Sequence, residues 1–164
     1  MVRTRFAPSP TGDMHIANLR VAIINWLFTK QNKGNFLLRI EDTDMLRSKI
    51  EYEEKILEIL QWMNIDFDDT YVRQSDRILL YHKKIKEISE YTYYCTCDSL
   101  PEGEHECRNA NYAEGILRFK TPQEGYTSYD DMIFGKLTYP NKEIEDFAFL
   151  RSDKTPTYLY AVVI

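Results

Sequence analysis

The chain lacks any apolar run approaching the ~20 residues that a membrane-spanning helix needs, so no membrane association through such a segment is expected. A secretory leader is not expected either. Met1-Val2-Arg3-Thr4-Arg5 is followed almost at once by Pro8 and Pro10, which no signal-peptide core tolerates. Both absences lead to the expectation of a cytoplasmic protein. Cysteine is scarce: there are three, an odd number, gathered between positions 95 and 107. A disulfide framework uses an even set, so a cytosolic metal site is the better reading. Basic charge is not in excess either, with 21 Lys and Arg against 26 Asp and Glu and a net charge of -5. The overall basic footprint of many nucleic-acid binders is therefore missing, although local fields rather than net charge set a docking surface. Internal repeats and low-complexity stretches are absent as well.

What is present suits a folded chain. Hydrophobic residues make up 43% and aromatics 13% of 164 residues, enough for one large domain or one domain carrying an insertion. Residues 2–6 read as a strand. Ala7-Pro8-Ser9-Pro10-Thr11-Gly12 can only be loop, because two prolines remove donors and a glycine permits unusual dihedrals. A helix follows over about 15–31, with Ile16, Leu19, Ile23, Trp26 and Leu27 at helical spacing. Residues 36–40, apolar except for Arg39, read as a buried strand. Strand, loop, helix and strand make a βαβ unit and imply a parallel sheet. A second helix is expected after Ser48, capped by a box formed with Glu51, with Ile56, Ile59, Leu60 and Met63 inward. A third spans about 76–91, with Ile78, Leu79, Ile85 and Ile88 inward. From 92 to 145 the texture changes to short strands, tyrosines, prolines and glycines, as in an insertion with its own fold. Residues 148–150 and 158–164 return to strand character.

A loop leaving a parallel strand and entering a helix places backbone N–H groups and a positive dipole end at the sheet's carboxyl edge, where nucleotides bind in open α/β sheets. Here that loop carries Ser9, Thr11 and Gly12, and His15 stands at the first helical turn. A hydroxyl and an imidazole in that place suit ATP phosphates; a plain strand-to-helix turn with a histidine beside the cap fits the same spacing. Cys95-Thr96-Cys97 and His105-Glu106-Cys107 give two ligand pairs close in sequence, and four such ligands close a tetrahedral structural zinc site. Three reduced thiols and a surface histidine fit the same residues.

Arg5-Phe6-Ala7-Pro8-Ser9-Pro10-Thr11-Gly12 with His15-Ile16-Ala17-Asn18 is similar to the first ATP motif of the glutamyl and glutaminyl branch of class I aminoacyl-tRNA synthetases. Arg39-Ile40-Glu41-Asp42-Thr43-Asp44, Arg47-Ser48, Gln74-Ser75, Leu150-Arg151-Ser152-Asp153, Pro156-Thr157-Tyr158 and Ala161-Val162-Val163 follow in the family's order. The chain thus resembles the N-terminal catalytic portion of a glutamyl-tRNA synthetase. That resemblance implies an α/β fold: an incomplete Rossmann-like parallel sheet (1–91), a small inserted α+β domain that binds the tRNA acceptor end (92–145), and a return toward the catalytic sheet (146–164). It implies ATP-dependent activation of L-glutamate and its transfer to tRNA(Glu), with Mg²⁺ on the phosphates, by a protein that is a monomer when full length.

Carried over by residue, the resemblance gives Arg5 a carboxylate of the glutamate substrate, a task suited to a planar guanidinium. Ala7 and Ser9 would line the same pocket, Glu41 would bind the substrate ammonium, and Tyr158 would add a wall and a hydroxyl. Ser9, Thr11, Gly12, His15, Ala17 and Asn18 would surround ATP, with His15 on the phosphates. Arg47 would touch the tRNA backbone, and Lys120, Lys136 and Lys142 would serve its phosphates unless they are simply solvated. Zinc would sit on Cys95, Cys97, His105 and Cys107; the family more often takes its fourth ligand elsewhere, so His105 is assigned by elimination and Tyr112 held in reserve. Ala17 replaces the family's usual glycine, where a methyl crowds the adenine. Family members continue to a second ATP motif and an anticodon-binding domain, so the 164 residues alone are expected to give no pyrophosphate exchange. Two other readings stand beside this one: an enzyme like the glutamyl-queuosine tRNA(Asp) synthetase, and a truncated, non-catalytic tRNA-binding module.

Overall fold

From residue 5 to residue 10 the chain alternates. Phe6, Pro8 and Pro10 are buried, whereas Arg5 and Ser9 are exposed and Ala7 is half-buried. A period of two is the signature of extended backbone, and here it runs past the last paired residue into the proline loop. The computed structural model describes residues 1–97 and 106–164. Its first compact unit, Met1–Ile78, is built on a three-stranded parallel sheet of β1 (Arg3–Phe6), β2 (Asn35–Ile40) and β3 (Val72–Arg73), in that order. Helices α1 (Ile16–Gln31) and α2 (Ile50–Trp62) supply the crossovers. Phe6, Phe36, Leu38 and Ile40 form one face of the sheet and pack with Ala22 of α1 and Ile56 and Leu60 of α2. The opposite face carries Arg5, Leu37 and Arg39, since Arg5 pairs in register with Leu37. At Gly34 a Cβ would lie 2.3 Å from the Val2 carbonyl oxygen, so the turn into β2 admits no side chain.

The second unit, Leu79–Ile164, holds most of α3 (Ile78–Glu87), an antiparallel sheet in the order β4-β5-β8 (Thr92–Cys95, Ile116–Phe119, Ala148–Leu150) and a separate hairpin of β6 (Tyr126–Asp131) and β7 (Gly135–Pro140). Its core gathers Tyr81, Phe149, Tyr160 and Ala161, with Phe119 and Phe147 against them. The Tyr160 hydroxyl donates to the Tyr81 carbonyl at 2.9 Å, giving a buried phenol its partner. No helix among the described residues is long and apolar enough to cross a membrane.

Several elements differ from the sequence expectation. The apolar stripe of α1 is narrower: Ile16 is 70% exposed and Leu27 53%, while Ala22 and Thr29 are buried. Thr29 is accommodated because its hydroxyl donates to the Asn25 carbonyl. The capping box does not form. Helix α2 begins at Ile50 with Lys49 as N-cap, so Ser48 lies one residue too early, and its Oγ is buried without a hydrogen-bond partner among the described residues. Helix α3 is shorter than expected, flanked by 3-10 turns at Ser75–Arg77 and Ser89–Tyr91. It buries Tyr81, whereas Leu79 is 86% exposed. Residues 158–161 are not strand but a short helix, α4 (Tyr158–Ala161), because Thr157 accepts from the Tyr160 N–H at 3.3 Å as N-cap. Strand β8 joins β5 in the second unit's antiparallel sheet.

Candidate active site and metal centre

His15 ends the loop as the N-cap of α1, in extended backbone, and its Nδ1 accepts from the Ala17 N–H at 3.2 Å. That bond directs Nε2 as the other ring nitrogen available for an outside partner. A hollow of about 110 Å³ lies along this turn, lined by Ser9, Thr11, Gly12, His15 and Asn18 among others. Its size is a few water volumes, that of a phosphate group rather than a whole nucleotide. A Cβ at Gly12 would meet nothing within 4 Å, so that glycine leaves open space. Lys55 of α2 reaches across to Asp13 at 2.5 Å, tying the loop to the second helix. Ala17 is exposed.

The opposite sheet face carries the charged groups. The Glu41 backbone N–H donates to the Pro8 carbonyl at 2.9 Å, so the proline loop still runs beside β2 one residue past its end. By alternation Arg5, Ala7, Arg39 and Glu41 lie on one side. Glu41 is only 2% exposed. Its Oε1 accepts from Arg39 Nε at 2.6 Å and from Gln74 Nε2 at 3.2 Å, and Oε2 from Gln74 Nε2 at 3.1 Å. Gln74 is fully buried directly after β3, and its own N–H donates to the Ile40 carbonyl at 3.0 Å. The next residue repeats the pattern: Ser75 donates to Asp42 through its backbone N–H at 2.9 Å and its hydroxyl at 2.5 Å. The sequence singled out Gln74-Ser75 as a motif, and Arg39 as the start of another, without giving either a task. The available signal was polarity itself: Arg39 and Gln74 are long polar residues at positions a parallel sheet buries.

Arg47 is exposed and holds Asp44 at 2.6 Å; the Arg47 hydrogen bonds keep the Asp44 carboxyl below its usual range. Tyr158 belongs to the second unit, at the first turn of α4, and is half exposed. Lys136 and Lys142 are exposed, while Lys120 is half-buried.

In the second unit the three thiols converge. The Sγ atoms of Cys95, Cys97 and Cys107 all lie within 4.8 Å of one another. Cys97 Sγ is 3.6 Å from Cys107 Sγ, far beyond a disulfide bond and close to the edge of about 3.8 Å that two ligands span at a tetrahedral zinc with Zn–S of about 2.3 Å. The Thr96 backbone N–H draws the Cys107 thiol below its ordinary pKa, while the hydrogen bond to Cys107 pushes Cys97 up to about 11. The donor set therefore fits zinc. His105 lies outside the described residues, and Tyr112, the reserve ligand, is 48% exposed.

The model of the family described as tRNA synthetases class I (E and Q), catalytic domain, matches residues 1–114 and again 92–164. The chain belongs to this family. Among curated class I relatives, a glutamate–tRNA ligase of Thermodesulfovibrio yellowstonii is 44% identical over all of the chain and 40% of its own length. One from Desulfosudis oleivorans is 41% identical over 98% of the chain and 39% of its length. A glutamate tRNA ligase from Elizabethkingia meningosepticum, solved in complex with its amino acid, superposes with a TM-score of 0.79 at 30% identity, covering 99% of this chain and 41% of that one. The chain thus spans about 40% of the length of the curated relatives it matches. The mixed α/β fold with a parallel sheet is that of an incomplete class I core.

Proposed function

We propose that the chain is the N-terminal part of a glutamate–tRNA ligase, which activates L-glutamate with ATP and transfers it to tRNA(Glu). The observation that carries this reading is the sidedness of the parallel sheet: Arg5 and Glu41 share one face beside the loop that ends at His15. Along β2, Glu41 stands four residues beyond the partner of Arg5, or about 13 Å at ~3.3 Å per residue. That leaves room for a small dicarboxylic amino acid between a guanidinium and a carboxylate. Arg5 takes a carboxylate of the substrate, Ala7 and Ser9 line its path, and Glu41 takes the ammonium.

ATP lies on the β1–α1 turn with its phosphates at Ser9, Thr11, Gly12 and His15, and with Ala17 and Asn18 beside the adenosine. The substrate carboxylate is itself the nucleophile toward the α-phosphorus, so this chain's residues contribute position and charge rather than a covalent intermediate. The only cluster of three or more His, Cys, Asp or Glu ligands among the described residues is the thiol trio, a donor set unsuited to Mg²⁺. Mg²⁺ takes the hard phosphate oxygens of ATP as its ligands. Zinc on Cys95, Cys97 and Cys107, with His105 as fourth ligand, supplies a structural staple for residues 92–145, the segment taken to grip the tRNA acceptor end. Arg47 and the lysines serve tRNA phosphates. The full-length protein acts as a cytoplasmic monomer.

Calorimetric titration tests the reading. L-glutamate is expected to bind saturably, L-glutamine more weakly, and Arg5→Leu to remove binding. Absence of glutamate binding, or binding untouched in Arg5→Leu, would overturn it.

A further inference from the structure

The buried polar network under the substrate face assigns a task to a residue with no given role. We infer that Gln74 is a positioning residue that fixes the rotamer of Glu41 so that Oε2 is the atom presented to the ammonium of the bound amino acid. This rests on the proposed function and extends it to the group behind the acid.

Three observations carry it. First, the Gln74 amide nitrogen reaches both carboxylate oxygens, at 3.2 and 3.1 Å, and with Arg39 on Oε1 it restrains the orientation of the carboxylate as well as its location. Second, the load on the two oxygens is unequal. Oε1 accepts from Arg39 at 2.6 Å as well as from Gln74, whereas among the described residues Oε2 accepts from Gln74 alone. An ionised carboxylate has about four acceptor directions, so Oε2 retains the greater capacity for a cationic donor. Third, Gln74 is itself immobilised. It is fully buried, and its backbone bonds to Ile40 at the end of β2. The parallel acid Asp42 is gripped in the same manner by Ser75. Two consecutive residues after β3 thus hold two consecutive acids after β2. A charged bond to Oε2 in this buried setting gains strength from the exclusion of water, but only while the oxygen stays aimed.

The distinguishing readout is ligand chemistry. Glutarate carries both carboxylates of glutamate and no amino group. In Gln74→Met, close in size and without donors, L-glutamate affinity is expected to fall about tenfold or more, the usual scale for losing a hydrogen bond to a charged group. Glutarate affinity is expected to stay within about twofold. Calorimetry on the chain, with circular dichroism melting of each variant, measures both. Should Gln74→Met fail to fold, Gln74→Asn, which keeps the amide one methylene short, is expected to show the same selective loss. Equal weakening of both ligands would make Gln74 a structural support only and overturn the inference, as would unchanged glutamate binding in a folded variant. A wild-type chain that binds no glutamate would instead sink the functional reading beneath it.

Discussion

Glu53 is an acid on the buried side of α2, 4% exposed, and it survives there because both its oxygens accept hydrogen bonds. Arg73 donates to Oε1 and Oε2 through Nε and to Oε1 through Nη2 at 2.7 Å, and the Tyr71 hydroxyl donates to Oε1 at 2.8 Å. Burial, the largest single influence, pushes the carboxyl up; the Arg73 and Tyr71 hydrogen bonds and the Arg73 charge together outweigh it and hold the group below its usual 4.5. The hydrogen bond to Glu53, with burial, pushes the Tyr71 hydroxyl up. A carboxyl depressed in the folded state stabilises above its unfolded pKa and loses that contribution as pH falls through the folded value. Glu53→Gln is therefore expected to cost about 2 kcal/mol at pH 7, discounted because Arg73 is partly exposed. The difference should narrow once pH drops below 4.5. Urea denaturation of both proteins from pH 7 to pH 3 measures it, and a constant gap across that range would assign the loss to packing instead.

At the scale of elements, the βαβ opening was legible because several local signals agreed. Two prolines and a glycine interrupt the chain, an apolar periodicity of 3.6 follows, and an apolar run of strand length comes after it. The α2 cap was misplaced because Ser48 and Glu51 satisfy the capping spacing, while the backbone turns at Asp44, whose carbonyl accepts from Ser48 N at 2.9 Å, and starts the helix two residues after Ser48. Residues 158–164 read as strand from their apolar and β-branched content, and one hydroxyl, that of Thr157, tips the first four into a helical turn. The two acids after β2 were legible as residues, yet the partners of Glu41 and Asp42 were not: Gln74 and Ser75 are 33 residues away, and only parallel register brings them together. Close approach leaves a testable mark at the other end of β2. A methyl at Gly34 would meet the Val2 carbonyl oxygen at 2.3 Å, a backbone atom with little freedom to retreat, whereas one at Gly12 would meet nothing. Gly34→Ala is expected to destabilise by about 2 kcal/mol, and Gly12→Ala to stay within about 0.5 kcal/mol. Equal thermal shifts for the two would contradict this account of the turn.

Taken as a whole molecule, the chain divides its chemistry between two compact units, Met1–Ile78 and Leu79–Ile164. The first holds the parallel sheet with its phosphate-sized hollow and paired acids; the second holds the thiol trio. The second unit builds its antiparallel sheet from short strands of three or four residues, and Cys95 ends β4 while Cys107 lies in a 3-10 turn beyond it. A metal there would tie the end of β4 to that turn and add its binding free energy to folding. Gly115 sharpens the dependence, since a Cβ there would lie 2.3 Å from the Cys95 carbonyl oxygen, so β5 enters in close contact with the strand that ends at Cys95. Removing zinc with a chelator is therefore expected to lower hydrogen-exchange protection in β4 and β5 first, with the β2 amides of Asn35–Ile40 changing least, and Cys107→Ser to have the same regional effect. The purified protein should release about one equivalent of zinc, the stoichiometry of a single tetrahedral site. A zinc-free preparation with full protection in β4 would show that the thiols hold this region by packing alone, and a loss spread evenly over both sheets would show that the metal supports the chain as a single cooperative unit.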